Sequence, residues 1–549
     1  MKSPCPIREN DMKKGEIFTG RVTGIRFPNK GIVETQDGQS FMVKNALPGQ
    51  IVEAKLTKKR NGQGEGLLLR VLEKAPDERE SPCPVFGRCG GCLYLTLPYE
   101  RELHIKEEQV KGLLQQAIDG SGTETDSVDS FWEPAHASPV TEGYRNKMEF
   151  TFGDSCKGGP LTLGMHRRGS FYDLADASCC AIVDGDYRAI VRAACDFFAK
   201  RQIPYFHRVR HDGYLRHLLV RKGAHTGEIL IDLVTTSHTE EFYCENPETV
   251  SILRDREKAA GHAEQAAGDR KDTMNAFTGS EEELLHAFTD YLLGLKLDGN
   301  ITGILHTVND SAADIIEDQG TQTLYGRAYF EEQILGLKFL VTPFSFFQTN
   351  SYGAELLYTI ARDYIAGTGE MTKKPVVFDL YCGTGTISQL VAPSASKVVG
   401  VEIVEEAVEA AKQNAVRNGI ANCEFLAGDV LKVLDTVQEK PDLIILDPPR
   451  DGVHPKALPK ILAYGVSYIL YISCKPTSLA RDLPAFLAAG YRPVRATCLD
   501  QFPWTSGVET VCLLSNTQRP KKESYITLDV EMKDYYRIKN EGKNSNTGK

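Results

Sequence analysis

A cysteine and a carboxylate are the residues of this chain best suited to covalent chemistry. Cys474 follows the apolar run Ser467-Tyr-Ile-Leu-Tyr-Ile472, and Glu509 lies in Val508-Glu-Thr510. A thiolate is the strongest nucleophile that a side chain offers near neutral pH, and a carboxylate beside it can act as a general base. The alternative for Cys474 is a buried, inert thiol, the common state of a cysteine in a strand. Its position at the strand terminus favours the nucleophile.

A second acidic motif, Asp447-Pro-Pro-Arg450, follows the apolar run Asp442-Leu-Ile-Ile-Leu446. Short apolar runs rich in β-branched and aromatic residues predict buried strands, whose carboxyl ends bind ligands in open α/β sheets. Methyltransferases that act on exocyclic amines often carry an aromatic residue after such a Pro-Pro pair. Here Arg450 takes the place of the aromatic residue. Together with Cys474, this favours a carbon atom over an exocyclic amine as the atom that is methylated.

The segment Asp379-Leu-Tyr-Cys-Gly-Thr-Gly-Thr386 has the composition of a ligand-binding turn. Its glycines let the backbone approach a ligand, but the third glycine of a dinucleotide fingerprint is missing, which disfavours a pyrophosphate. Glu402, at the end of the next predicted strand, can accept both hydroxyls of a ribose, and Asp429 can reach an adenine amine. These residues favour S-adenosylmethionine; surface acids beside a Gly-rich turn in another α/β enzyme are the alternative.

The elements that position these residues alternate between strands and helices. The pattern predicts strands at 376–379 and 397–402, a helix from about residue 387 and a helix over 404–418. This alternation is typical of a doubly wound α/β sheet.

The amino-terminal part has a different pattern. Between residues 15 and 74, short apolar alternations are separated by glycines, which predicts a small β-barrel of the oligonucleotide-binding type. The cluster Lys58-Lys-Arg60 favours RNA as its ligand, and a generic β domain is the alternative. The net charge of −10 disfavours a nucleic-acid partner, but 13 acidic and only 5 basic residues fall within 240–290. We interpret that segment as a solvated insertion.

Three cysteines lie close together in Cys83-Pro-Val-Phe-Gly-Arg-Cys89-Gly-Gly-Cys92. A Gly-rich loop of this kind can wrap its backbone around a four-iron cluster, with Cys180 as fourth ligand and Cys179 as its rival. Zinc is disfavoured because zinc sites usually show two paired CxxC motifs, and three unrelated cysteines are the remaining alternative.

Two central segments are rich in basic residues. The stretch 207–222 contains four arginines and Lys222, and Tyr144-Arg-Asn-Lys147 adds an aromatic ring that can stack on a base. A basic face and a solvated edge strand are equally good interpretations of the first.

Together these motifs make the chain resemble the bacterial uracil-5 RNA methyltransferases. The resemblance rests on Asp447-Pro-Pro-Arg-Asp-Gly452, on Ile469-Leu-Tyr-Ile-Ser-Cys-Lys475 and on Leu499-Asp-Gln-Phe-Pro503 leading to Glu509. The barrel, which is similar to a TRAM domain, and the cysteine-rich loop extend it over most of the chain. Two departures from the family are Trp504 and Gly507, the latter where the family has a histidine.

The resemblance implies a role for each matching residue. Cys474 would be the nucleophile and Glu509 the general base. The cofactor-contacting positions that it implies are Gln348, Tyr381, Glu402, Asp429 and Asp447. The iron–sulfur ligands that it implies are Cys83, Cys89, Cys92 and Cys180.

The expected architecture is a class I S-adenosylmethionine-dependent α/β domain with two additions. We expect a TRAM-like barrel at 8–75, a central α+β domain at 76–342, the methyltransferase domain at 343–516 and a tail of unknown role at 517–549. The expected cofactors are S-adenosylmethionine and a [4Fe-4S] cluster.

The expected activity is methylation of uridine carbon 5 in RNA, preferably 23S rRNA, with tRNA as the alternative. We expect a monomer in the cytoplasm. No membrane partner is expected, because no apolar run approaches transmembrane length. Two other interpretations are a non-catalytic RNA-binding iron–sulfur protein and a nicotinamide-dependent oxidoreductase.

Overall fold

The computed structural model describes residues 12–60, 63–123, 125, 127–239, 277, 279–313, 315–368, 374–434, 437 and 439–517. Most of the predicted acidic insertion, and the predicted tail apart from Thr517, therefore lie outside the described residues.

Strands and helices are numbered in chain order. The strands are β1 Ile17–Arg26, β2 Lys30–Glu34, β3 Ser40–Lys44, β4 Ile51–Arg60, β5 Gln63–Glu73, β6 Lys147–Asp154, β7 Leu161–His166, β8 Leu174–Asp176, β9 Leu215–Lys222, β10 Glu228–Thr235, β11 Asn300–Val308, β12 Thr321–Gly326, β13 Phe330–Ile334, β14 Leu337–Val341, β15 Val376–Leu380, β16 Lys397–Glu402, β17 Cys423–Ala427, β18 Leu443–Leu446, β19 Tyr468–Ser473, β20 Tyr491–Leu499 and β21 Glu509–Asn516. The α-helices are α1 Tyr99–Gly120, α2 Gly185–Lys200, α3 Glu281–Leu293, α4 Ser351–Ala366, α5 Thr386–Val391, α6 Glu405–Arg417, α7 Val430–Val433, α8 Ala457–Ala463 and α9 Pro476–Ala488, and short 3-10 helices span Val128–Ser130 and Ala392–Ser394.

The first five strands form a closed barrel in the order β1-β2-β3-β5-β4. Alternate residues of β1 to β4, including Phe18, Val33, Phe41 and Val43, point into its core. The predicted small β-barrel is confirmed, and β5 adds a strand that the short apolar alternations did not indicate.

A seven-stranded central sheet has the order β12-β11-β10-β9-β6-β7-β8. Strand β9 lies inside it, between β10 and β6, so Arg216 and Arg221 are only 3% and 1% exposed. The predictions of a basic face and of a solvated edge strand are both wrong for these two arginines. Each guanidinium instead donates hydrogen bonds from its terminal nitrogens to backbone carbonyls of neighbouring loops.

Helices α2 and α3 cover one face of the central sheet, and α3 begins within the segment interpreted as a solvated insertion, although its apolar residues are buried. The apolar residues of α2 recur with helical spacing, as in Tyr187, Ile190, Val191 and Ala194, all of which are buried. The Asp184 side chain caps this helix by accepting hydrogen bonds from two backbone N–H groups of the first turn.

The carboxyl-terminal sheet has the order β17-β16-β15-β18-β19-β21-β20. The first five strands are parallel, and β21 inserts antiparallel between β19 and β20. The predicted doubly wound sheet is confirmed, and β16 has the predicted bounds. Helix α4 and the β13–β14 hairpin pack on one face, whereas α1 and α9 pack together on the other.

Candidate active site

The register of β19 and β21 brings the predicted nucleophile and base to the same edge of the sheet. Ser473, the last residue of β19, pairs with Thr510 in β21, so the next position on each strand is Cys474 and Glu509. The Glu509 side chain is 2% exposed, whereas Cys474 is half-buried. The two candidate catalytic residues therefore lie side by side, one accessible and one beneath the surface.

The motif after β18 lies beside them because β18 is the parallel neighbour of β19. The Ser478 hydroxyl, in α9, donates a hydrogen bond of 2.6 Å to the Arg450 carbonyl, which fixes this loop on the helix that follows Cys474. Asp447 and Arg450 both act electrostatically on Cys474 and Glu509. The site thus combines a thiol, two carboxyls and one guanidinium.

The resting site favours protonated acids. Burial, aided by the carboxylates of Glu509 and Asp447, raises the pKa of Cys474 to about 12, and Arg450 opposes this shift. Burial and the Asp447 charge raise the pKa of Glu509 to about 8. Burial raises the pKa of Asp447 to about 7, with a contribution from Asp379. A cationic ligand entering here would lower all three values, because opposite charge stabilises the ionised forms.

These carboxyls give an expected pH dependence of stability. The folded-state pKa of Glu509 is about 8 instead of the ordinary 4.5, and burial raises the pKa of Asp379 to about 7 from 3.8. The folded protein therefore holds protons that the unfolded chain releases between about pH 4 and pH 8, so stability falls as the pH rises through that window.

We expect Glu509→Gln to flatten this fall and to increase the free energy of unfolding at pH 8 by on the order of 1 to 3 kcal/mol. Urea unfolding of both proteins at pH 5 and pH 8 measures the difference. A variant that is less stable than the wild type at pH 8 would contradict this account.

The cofactor loop has the geometry that its glycines predict. Gly383 and Gly385 have φ angles of 53° and 73°, and a Cβ at Gly385 would lie 2.6 Å from the Phe425 ring. The Gly383 N–H donates a hydrogen bond of 3.0 Å to Glu402, whose other oxygen accepts the N–H groups that follow it. A carboxylate oxygen has two lone pairs, so Glu402 retains the capacity to accept ribose hydroxyls.

Other predicted cofactor residues surround the same loop. Tyr381 has a left-handed backbone with φ 69°, and the charge of Asp429 contributes to a raised pKa of its phenol, after burial. Asp429 also caps α7 by accepting the Leu431 N–H at 2.9 Å. Asp379 is fully buried, and its Oδ1 has no hydrogen-bond partner within the part of the chain that the structure describes. Polar capacity of this kind suits a cationic, hydroxyl-bearing ligand.

Gln348 lies on a loop whose backbone carbonyls accept hydrogen bonds from buried side chains. Asn146 donates hydrogen bonds of 2.9 Å to the Gln348 carbonyl and to the Ser351 hydroxyl. Arg221 donates to the carbonyls of the loop immediately before Gln348, at residues 342, 343 and 345. The Gln348 side chain bonds to Tyr358, a buried tyrosine whose pKa is raised by burial and by the charges of the site.

Tyr358, Phe346 and Ile403 are site residues that the sequence did not indicate. The charges of Asp447 and Glu509 act on Tyr358, a buried residue near both carboxyls. Phe346 and Ile403 are each 66% exposed, Phe346 near Gly383 and Ile403 directly after Glu402. An exposed apolar residue looks the same in a sequence as a buried one, so only the structure identifies them.

The two departures from the family have structural explanations. The backbone N–H of Trp504 donates a hydrogen bond to the Glu102 carboxylate at 2.7 Å. Its indole N–H donates to the Thr141 carbonyl. A Cβ at Gly507 would lie 2.9 Å from the Phe502 ring, so a histidine there would displace that ring.

A buried ionic group anchors the segment that leads to Glu509. Lys106 of α1 binds Glu102 at 2.7 Å and Asp500 at 2.6 Å, and all three side chains are inaccessible to solvent. Loss of one partner would leave an uncompensated buried charge, so this group fixes the position of the segment on α1.

The predicted cluster ligands converge in the central domain. The pKa of Cys92 is raised by burial and by the charges of Cys180, Cys89 and Cys83. Burial raises the pKa of Cys180, the backbone N–H groups of residues 182 and 183 oppose this shift, and the Gly91 N–H lies 3.4 Å from the Cys89 sulfur. Within the described ranges, however, no group of three or more His, Cys, Asp or Glu is arranged to hold a single metal ion.

Cys179 occupies a different position from Cys180. It lies against Cys83 and bonds to the Asp176 carbonyl, and burial with these charges raises its pKa to about 11. The interactions of Cys92 extend to Cys180, Cys89 and Cys83 but not to Cys179. Both rivals thus lie near the cysteine-rich loop, Cys179 beside Cys83 and Cys180 within range of Cys83, Cys89 and Cys92.

None of the helices in the described part of the chain has both the length and the apolar character needed to cross a membrane.

Comparison with known proteins places this geometry in a family. Residues 371–479 match the family model described as a methyltransferase domain. An uncharacterized RNA methyltransferase of Clostridium tetani is 42% identical over 501 residues, covering 91% of this chain and 98% of that protein. Another from Clostridium acetobutylicum is 40% identical over 504 residues, with 92% and 98% covered.

A solved structure shares the fold over nearly the whole chain. The Pyrococcus abyssi tRNA (uracil-54, C5)-methyltransferase in complex with S-adenosyl-L-homocysteine superposes with a TM-score of 0.64 at 22% identity, covering 90% of this chain and 99% of that one. The near full-length relatives show that the chain belongs to the RNA methyltransferases, and its fold is that of the Pyrococcus abyssi enzyme.

Proposed function

We propose that this protein methylates carbon 5 of a uridine in RNA through a covalent adduct with Cys474. The observation that carries the proposal is the pairing of β19 with β21, which sets Cys474 beside Glu509 and next to the Asp447 loop. An amine-directed enzyme needs neither a thiol nor a second base at this position. The uracil specificity named for the Pyrococcus abyssi protein of the same fold supports the choice of target.

The chemistry requires a nucleophile because carbon 5 of uracil is too electron-poor to accept a methyl group directly. Attack of the Cys474 sulfur on carbon 6 makes carbon 5 an enolate carbon. S-adenosylmethionine supplies the methyl group as a cation equivalent. Glu509 then takes the proton from carbon 5, and elimination expels the Cys474 sulfur and restores the ring.

The pKa values of Cys474 and Glu509 indicate when each residue must lose or take a proton. With a pKa of about 12, Cys474 holds its proton in the resting site and must lose it as the cationic cofactor enters. Glu509, with a pKa of about 8, is mostly protonated near neutral pH in the resting site, and it can act as a general base once the cationic cofactor has lowered that pKa. The residues proposed to hold S-adenosylmethionine are Gln348, Tyr381, Glu402, Asp429 and Asp447.

The RNA must present an unstacked uridine, since neither carbon 5 nor carbon 6 is accessible within a stacked helix. Phe346, exposed beside the cofactor loop, offers a ring on which that base can stack. We favour 23S rRNA as the substrate and propose that the amino-terminal barrel is a TRAM domain that holds it. The named substrate of the Pyrococcus abyssi protein makes tRNA the second candidate.

Mapping of 5-methyluridine in RNA from cells lacking this gene tests the proposal. We expect one or more 23S rRNA positions to lose the modification and to regain it with purified enzyme and S-adenosylmethionine. Loss confined to tRNA would select the second substrate, and a methyl group on any other atom would contradict carbon-5 chemistry.

We also propose that Cys83, Cys89, Cys92 and Cys180 hold a [4Fe-4S] cluster. The mutual charge interactions of these thiols and the N–H groups directed at two of the sulfurs support this assignment. The cysteine-rich loop also contacts the segment before Glu509, because the N–H groups of Leu93 and Tyr94 donate to the Trp504 carbonyl. A cluster would therefore stabilise the loop on which the base depends.

Cysteine variants separate the cluster from its alternatives. We expect Cys89→Ser to remove the visible absorption of anaerobically purified protein, because one thiolate ligand is lost. Cys179→Ser should retain the absorption, and Cys156→Ser, at an exposed position, is the matched control. A colourless wild-type protein with stoichiometric zinc would contradict the assignment.

A further inference from the structure

A cleft outside the candidate active site lies on the central domain. Its volume is about 470 Å³, and its lining includes Phe171, Tyr172, Phe206, His207, Arg208 and Lys157. All of its lining residues fall within 151–209, so the methyltransferase domain contributes none of them. The cleft is not required by any step of the proposed reaction.

Two aromatic side chains at its mouth are unusually exposed. Phe171 is 80% and Tyr172 is 61% exposed, although both lie on a short loop between β7 and β8. Adjacent exposed rings of this size generally mark a binding surface. Their loop has a defined conformation, because the Ser170 hydroxyl accepts the N–H groups of Tyr172 and Asp173 and Arg208 donates to the Phe171 carbonyl at 3.2 Å.

The lining of the cleft carries two cationic side chains, Lys157 and Arg208, and two carboxylates, Asp154 and Asp173. Lys157 is exposed in its lining, and the Arg208 guanidinium lies 2.9 Å from the His166 ring. Both carboxylates keep their charge but have partners within the protein: Asp154 accepts the Gly158 N–H at 2.7 Å, and Asp173 lies 3.8 Å from Arg167, which is outside the lining. Cations beside stacking rings form the combination that binds single-stranded nucleic acid.

The cysteine-rich loop connects this cleft with the candidate active site. Arg168, just before the aromatic pair, donates hydrogen bonds to the carbonyls of Cys89 and Cys92, and the Gly90 N–H donates to the His166 carbonyl. The same loop contacts Trp504 on its other side. One rigid support therefore carries both the aromatic pair and the segment that leads to Glu509.

We propose that this cleft binds an unstacked nucleotide of the substrate RNA, separate from the nucleotide that is methylated. A base stacks on Phe171 and Tyr172, and its phosphate lies near Lys157 and Arg208. This inference depends on RNA being the substrate and is independent of the uracil-5 chemistry. It assigns the central domain a direct role in holding RNA.

The test measures binding of fluorescein-labelled oligouridylate by fluorescence anisotropy, with Cys474→Ala as the background so that no covalent adduct contributes. We expect the double change Phe171→Ala and Tyr172→Ala to weaken binding by about 10-fold to 100-fold, the range for loss of base stacking. The single change Tyr172→Phe keeps the aromatic ring and should leave the binding affinity unchanged. Tyr325→Ala, at an exposed tyrosine of β12 outside the cleft, is the control.

Two further measurements make the result independent of folding. Phe171→Trp introduces an indole whose fluorescence should be quenched by oligouridylate, and Lys157→Ala should reduce the slope of log Kd against log salt by about 0.7. Unchanged affinity in the double variant, with no quenching, would overturn the proposal and leave a protein as the occupant of the cleft. Because binding is measured without methyl transfer, failure of the uracil-5 proposal would not produce that outcome.

Discussion

Replacement of Cys474 by alanine is expected to abolish methyl transfer while leaving cofactor binding intact. Alanine removes the atom that makes carbon 5 reactive, so the rate should fall by on the order of 10⁴-fold to 10⁶-fold, as when other enzymes lose a covalent nucleophile. The variant should bind S-adenosylmethionine like the wild type, because the residues around Glu402 are unchanged. Transfer of tritiated methyl groups to RNA measures the rate, and calorimetry measures cofactor binding.

A matched control distinguishes this effect from the general loss of a thiol. Cys156 is exposed and lies outside both the candidate active site and the cysteine-rich loop, so Cys156→Ala should retain wild-type activity. A Cys474→Ala enzyme whose rate stays within tenfold of the wild type would remove the covalent mechanism.

Replacement of Glu509 by glutamine should stop the reaction at a later step. The amide has nearly the same shape but cannot take the proton from carbon 5, so multiple turnover should fall by on the order of 10²-fold to 10⁴-fold. The adduct should still form, and should form at lower pH, because the Glu509 charge contributes to the raised pKa of Cys474. A protein–RNA species that persists in a denaturing gel is the expected readout.

The companion variant for this experiment is Glu406→Gln, at an exposed position in the first turn of α6. It should show wild-type turnover and no persistent adduct. Full turnover by Glu509→Gln would show that another group removes the proton. Absence of an adduct with that variant, while Cys474 is still required for activity, would place Glu509 before the covalent step.

The sequence predicted those parts of the fold that local patterns determine. Strand β16 has the predicted bounds because its apolar run is buried on both faces and ends at Glu402. The positions of Cys474 and Asp447 at one sheet edge follow from neighbouring parallel strands, which sequence order indicates. Glu509 was expected beside Cys474 from the roles that the resemblance implies, whereas strand order alone does not predict it, because β21 inserts between β19 and a strand that precedes it in the chain.

Predictions that depended on tertiary neighbours were less successful. Arg216 and Arg221 suggested a basic surface, whereas both are buried and donate hydrogen bonds to loop carbonyls from distant segments. Helix α1 was not indicated by its composition, because its buried face includes Lys106 and Glu102, whose partner Asp500 is nearly 400 residues away. A buried ion pair has the sequence pattern of a solvated one.

The most direct test of the central claim is trapping with RNA that carries 5-fluorouridine at the methylated position. Fluorine at carbon 5 cannot be removed as a proton, so Glu509 cannot complete the reaction and the adduct should persist. The account predicts one crosslinked peptide by mass spectrometry, containing Cys474 joined to a methylated fluorouracil. An enzyme that methylates ordinary RNA but forms no crosslink with this RNA, or forms one at a different residue, would contradict it.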